Sequence, residues 1–132
     1  MTRDKRIKLA RKTSTPPEVL VELSRDKDDD VRWYVADNPS APLEALAALS
    51  RDKDNNVRWR ITQNPSTPPE VLVELARDKD DYVRWYVARN TSTPSEILLI
   101  LMCDDNKDVR ESSEKNLSRR AMITERHAHY QE

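Results

Sequence analysis

The chain has 132 residues, enough for one domain and too few for two of ordinary size. Charged residues make up 36% of it and hydrophobic residues another 36%, with no Phe and no Gly. That is thin for a compact globular core but sufficient for stacked units that each bury one layer. The net charge of −1 excludes a bulk electrostatic pull toward nucleic acid or membrane.

The first twelve residues, MTRDKRIKLARK, are charged and lack the apolar stretch of a secretory signal. Arg6-Ile7-Lys8-Leu9-Ala10 aligns with Arg32 to Ala36, 26 positions on, so residues 1–12 read as half of a repeating unit. Val-Arg recurs at 31–32, 57–58, 83–84 and 109–110. Asn38, Asn64, Asn90 and Asn116 keep the same spacing, as do Pro16, Pro42, Pro68 and Pro94, and Leu23, Leu49, Leu75 and Leu101. Four repeats follow, at 13–38, 39–64, 65–90 and 91–116, and then a capping helix and tail at 117–132. The first and third repeats differ at only four positions, Thr13/Pro65, Ser24/Ala76, Asp30/Tyr82 and Asp37/Arg89. Self-similarity at this period specifies an all-α fold, a right-handed α-solenoid of two-helix repeats with eight or nine helices.

Within a repeat, Thr15-Pro16-Pro17-Glu18, repeated as Thr67-Pro68-Pro69-Glu70 and Thr93-Pro94-Ser95-Glu96, predicts a capping box at the start of the first helix. Ala41 breaks the box in the second repeat, so that helix is expected to fray more easily. Val19, Leu20 and Leu23 form its inward stripe. The polar turn Arg25 to Asp30 then leads into a second helix from Val31 to about Asn38, capped by the turn's carboxylates. Without glycine, Asn is the residue expected to take a left-handed position at the helix end, with Pro39 and Pro65 stopping the chain.

The fourth repeat carries the only cysteine, Cys103, in LLILMC. It excludes an internal disulfide and a cysteine-held metal cluster, and it reads as a small buried hydrophobe. No apolar run reaches the length of a membrane span. Beyond Asn116, LSRRAMITER continues the helix from Asp108 as a basic cap on the stack, with dimerisation through Met122 and Ile123 as the alternative role. His127 and His129 form an HxH pair in the tail, which reads as a solvated terminus rather than a metal site.

The pattern Asn-Pro-Ser-Thr-Pro-Pro-Glu-Val-Leu, followed by Asp-x-x-Val-Arg-x-x-Val-Ala, resembles the leucine-rich repeat variant family, a relative of HEAT repeats, over residues 1–116. The resemblance implies a superhelix pairing an α-helix with a shorter, partly 3₁₀ helix, and leaves the ligand open. An iron–sulfur domain that precedes the repeats in one member has no counterpart here, because its cysteines are missing. HEAT-like solenoids line their concave surface with the second helix.

A wheel of 100° per residue puts Val31, Val35, Tyr34 and Asn38 toward the stack and Arg32 on a flank. Trp33 and Asp37 point away, as do Trp59 with Gln63 and Trp85 with Arg89. The candidate groove is therefore a Trp ladder (Trp33, Trp59, Trp85) with a varying polar column (Asp37, Gln63, Arg89), together with Arg60 and Tyr86. Trp is a favoured interface anchor; the competing reading is that each ring simply packs on the next repeat. The Arg32, Arg58, Arg84 and Arg110 column, continued back to Arg6, is structural instead, bridging repeats through Asp26, Asp52, Asp78 and Asp104. Charge is sorted too: second-helix segments hold 12 Lys/Arg against 3 Asp/Glu, and first-helix and turn segments 18 acidic against 7 basic residues.

No Ser-His-Asp set, glycine-rich phosphate loop or His/Cys ligand spacing occurs, so no enzyme is expected. Trp33 with Asp37 resembles the concave-face pair of HEAT-like alkylpurine DNA glycosylases, but this chain is much shorter and offers one such Asp. The expected function is a cytoplasmic binding scaffold that holds a protein or extended peptide in its concave groove. A nucleic-acid binder using the same basic, Trp-lined face is the alternative. No cofactor, metal, membrane or small-molecule substrate is expected.

Overall fold

The computed structural model describes residues 1–131 and, among them, contains α-helices and no strand. The helices are α1 (Arg3–Arg11), α2 (Pro17–Leu23), α3 (Asp29–Asp37), α4 (Leu43–Leu49), α5 (Asn55–Gln63), α6 (Pro69–Leu75), α7 (Asp81–Arg89), α8 (Ser95–Leu101) and α9 (Lys107–Gln131). Odd-numbered helices pack on one another in chain order, α1 on α3, α3 on α5, α5 on α7 and α7 on α9. Each even-numbered helix lies against the odd helices that flank it in sequence.

The odd helices start two residues earlier than the Val-Arg pair suggests. Asp28, Asp54 and Asp80 sit at the N-caps, and their side chains accept from the backbone N–H of Asp30, Asn56 and Tyr82. A carboxylate there satisfies an orphan donor and sits at the positive end of the helix.

The expected capping box does not form. Pro16, Pro42, Pro68 and Pro94 are the N-caps of the even helices, and none of these helices has a side-chain cap. Proline at the cap has neither a side-chain acceptor for the helix nor an N–H for the glutamate, and the threonine hydroxyls turn backward instead. Thr15 Oγ1 donates to Leu9 O at 2.6 Å, Thr67 to Ile61 O at 2.7 Å and Thr93 to Val87 O at 2.7 Å. Ala41 therefore costs α4 no cap relative to its siblings; what its repeat lacks is a clasp on the Val35 carbonyl.

The asparagines also act otherwise than expected. No described residue has positive φ. Asn38 is extended, at φ −78° and ψ 118°. Its amide nitrogen reaches back one repeat and donates to Ala10 O and Lys12 O, both at 2.9 Å. Asn64 does the same to Ala36 O (2.7 Å) and Asn38 O (2.9 Å), Asn116 to Ala88 O (2.9 Å) and Asn90 O (3.0 Å), and Asn90 to Thr62 O (2.6 Å). The last carbonyls of α1, α3, α5 and α7 lack intrahelical partners, and the asparagine of the following repeat supplies them.

The core is a set of columns at the repeat spacing. Leu20, Leu46, Leu72 and Leu98 are fully buried, as are Val31, Val57, Val83 and Val109. Each such leucine contributes about 2 kcal/mol by burial alone. Ser113 occupies the Val35, Ile61, Val87 column, fully buried, and its hydroxyl donates to Val109 O at 2.9 Å. Two expectations fail at the edges. Cys103 is exposed, not buried, because its column otherwise holds Arg25, Arg51 and Arg77 on the outer face. The Trp rings do not point clear of the core; all three are half-buried and pack against its rim.

Candidate functional site

Trp33, Trp59 and Trp85 are each the fifth residue of a nine-residue helix, so the stacking of α3, α5 and α7 sets them in a row. The residue 27 positions further on covers each ring from the next repeat. Arg60 places its guanidinium 5.5 Å from the Trp33 ring centre, and Tyr86 stacks on Trp59 at 4.9 Å and 16° between planes. For Trp85 that residue is Ser112, which brings no ring or cation. Trp85 instead meets Tyr86 edge-on at 5.0 Å and Tyr82 at 6.4 Å, with the Arg89 guanidinium 4.4 Å from its centre.

The polar column divides. Asp37 pairs with Arg60 at 2.6 Å, which neutralises both. Gln63 is exposed, its amide nitrogen 3.1 Å from the Thr62 hydroxyl, and Arg89 is exposed over its own tryptophan. Sequence reasoning missed Tyr82 and Arg11, the latter lying 5.2 Å from the Tyr34 ring centre. It also missed Ser112, Lys115 and Arg119 on α9. The 34, 60, 86, 112 column was the available signal: its Tyr, Arg, Tyr, Ser pattern becomes informative once the column is known to cover the indoles.

The arginine column lies away from this row, and Arg32, Arg58 and Arg84 are engaged within the chain. Arg32, Arg58 and Arg84 each bring Nε to the Oδ2 of Asp52, Asp78 and Asp104 at 2.8–2.9 Å. Each also donates Nη1 to the carbonyl of the preceding turn, at Asp26, Asp52 and Asp78. Arg6 lies 2.8 Å from Asp26, and Arg110 holds only the Asp104 carbonyl. The bond to Asp52 raises the Arg32 pKa above its ordinary value, and Asp104 does the same for Arg84. Burial works against the charge of Asp104, yet its bonds from Arg84 and the Asn106 N–H hold it below the usual carboxylate value. No family model, curated protein or solved structure matches the chain.

Charge varies along the surface between α7 and α9. Near the helix starts, Asp81, Asp108 and Glu111 border a 640 Å³ cavity walled by Tyr82, Trp85 and Ser112. Near the α7 end, Arg89, Lys115 and Arg119 border one of 390 Å³ on the other side of Trp85. The clustered carboxylates of Asp28, Asp29 and Asp30 are already bridged by Arg3, at 2.6 Å to Asp28 and 2.5 Å to Asp30. Among the described residues no helix is long and apolar enough to cross a membrane.

Proposed function

We propose that the chain is a right-handed α-solenoid of the HEAT-like, leucine-rich repeat variant kind, a non-enzymatic scaffold that holds a protein or extended peptide in a concave groove. The odd helices contact one another more extensively than the even helices do. A stack tighter on one side than the other bends toward the tight side, so the odd helices line the inside of the curve. The observation that carries the functional reading is the row of half-exposed indoles on those helices. Anchors of this kind dominate binding energy at interfaces, and the polar side chain one turn on differs in every repeat, as selection for one ligand sequence requires. A cytoplasmic setting suits a scaffold with one thiol and no membrane-spanning helix among its described residues.

Arg89, Lys115 and Arg119 around one cavity favour the second reading, a single-stranded nucleic acid stacked on the same rings. Display selection of random peptides on the chain, followed by affinity measurements on Trp85→Ala, separates the two. A selected peptide should bind the variant about 5- to 100-fold more weakly, with thermal stability nearly unchanged and little effect of moderate salt. Selection of no peptide, together with oligonucleotide binding that weakens steeply with salt, would replace the first reading by the second.

A further inference from the structure

We infer that the cavity between α7 and α9 is a pocket for an arginine side chain of the bound polypeptide, an inference that rests on the groove reading above and names its chemistry. The repeat explains why a cavity forms there. Position 111 holds Glu where the three preceding repeats have Trp33, Trp59 and Trp85, and position 112 holds Ser where they have Tyr34, Arg60 and Tyr86. Two large side chains give way to small or acidic ones on the α9 side of Trp85, and 640 Å³ opens between the helices.

Its walls have one chemistry. Tyr82, 67% exposed, and Trp85 meet at 84° and form an aromatic corner. Asp81, Asp108 and Glu111 supply three carboxylates against the single amine of Lys115. These carboxylates are only weakly committed elsewhere. Asp81 accepts from the Asn106 amide at 2.8 Å, Glu111 lies 3.8 Å from Lys107, and Asp108 has no ion-pair partner among the described residues. Aromatic faces with a carboxylate rim attract a cation and repel an anion.

The chain itself indicates which cation suits these rings. Every indole already carries a guanidinium, Arg60 over Trp33 and Trp59 and Arg89 over Trp85, and Arg60 completes the arrangement with a carboxylate, Asp37. A planar guanidinium stacks on a ring while its edge engages a carboxylate, which a lysine ammonium cannot do in the same way. Tyr82 is one of only four residues separating the third repeat from the first, where Asp30 stands. The aromatic corner is thus built only where the covering side chain is missing.

The test titrates the full chain with three capped pentapeptides of alanine bearing a central arginine, citrulline or lysine, following the indole N–H signals by NMR. Trp85→Phe identifies the Trp85 signal. The arginine peptide should shift Trp85, which walls the cavity, and leave Trp33, which does not line it, in place; citrulline should bind about 5-fold more weakly or worse. Ser112→Arg, which places a guanidinium inside the chain where Arg60 stands two repeats earlier, should abolish the shift without lowering the melting temperature. Asp108→Asn with Glu111→Gln, both exposed, should weaken binding while the fold persists. Equal binding of arginine and citrulline peptides overturns the pocket, and equal binding of lysine overturns the choice of arginine. A still Trp85 signal, with selected peptides binding through Trp33 and Trp59, also overturns the pocket but leaves the groove reading standing.

Discussion

Replacing Asn64 by alanine removes three hydrogen bonds at one buried point. The Asn64 side chain, 3% exposed, donates to Ala36 O and Asn38 O and accepts from the Ser66 N–H at 2.8 Å. The Ala36 carbonyl lies in the last turn of α3, where the helix supplies no partner, while the Asn38 carbonyl also accepts from the Ala41 N–H at 3.0 Å. Leaving a buried polar group unsatisfied costs about 1–3 kcal/mol; with the Ala36 carbonyl stranded, the Asn38 carbonyl keeping one bond and the Ser66 N–H near solvent, the whole change comes to about 2–3 kcal/mol. Asn90 provides an internal scale. It is half-exposed, and its amide donates to Thr62 O and accepts from the Ser92 N–H at 2.7 Å, so Asn90→Ala should cost less, because water reaches the groups it leaves. Asn64→Asp sharpens the argument. It keeps the acceptor for Ser66 but turns a carboxylate toward two carbonyls at the negative end of a helix, which is worse than alanine near pH 7. Burial and those carbonyls raise the folded-state pKa of the introduced acid above its unfolded value. Its stability deficit should therefore shrink as pH falls through that raised pKa. Urea and thermal unfolding followed by circular dichroism at 222 nm measure all three variants. A loss below about 1 kcal/mol for Asn64→Ala, or Asn64→Asp as stable as Asn64→Ala at pH 7, refutes the asparagine ladder as a source of stability.

Arg58→Ala should destabilise by about 2–4 kcal/mol, because it strands Asp78 and the Asp52 carbonyl in a site where both charged side chains are under 10% exposed. Arg60→Ala should cost less than about 1 kcal/mol, since its pair with Asp37 reaches solvent; equal losses in chemical denaturation would contradict this division. Ala41→Thr should stabilise by about 0.5–1 kcal/mol, supplying the Val35 carbonyl with the hydroxyl that Thr15, Thr67 and Thr93 give to theirs. An unchanged or lowered melting temperature would show that the site at Ala41, 4% exposed, is too tight for the larger side chain.

The even helices have apolar stripes whose place in the core could be read directly, as Leu20 and Leu72 show, because burial follows from helical periodicity alone. The capping box was misread because the motif is local while the threonine's partner is not. Thr67 has a choice between the N–H groups ahead of it and the Ile61 carbonyl behind it, and two prolines remove part of the first option. Asn38 was misread for a related reason: lacking glycine, the chain needs no left-handed residue if the next repeat brings a donor to the helix end.

The candidate site divides along the same line. Sequence alone placed Trp33, Trp59 and Trp85 on equivalent positions of successive helices, and it marked Asp37/Arg89 as a variable pair, since both follow from a 26-residue spacing. Which rings are covered is a property of the neighbouring repeat. Arg60 lies over Trp33 and withdraws Asp37 from any ligand, Tyr86 stacks on Trp59, and Ser112 leaves Trp85 beside open volume. One-dimensional periodicity determines which residues share a column. Only the three-dimensional offset between α3, α5, α7 and α9 decides which column shields which, because that contact links residues 27 apart that no single helix brings together.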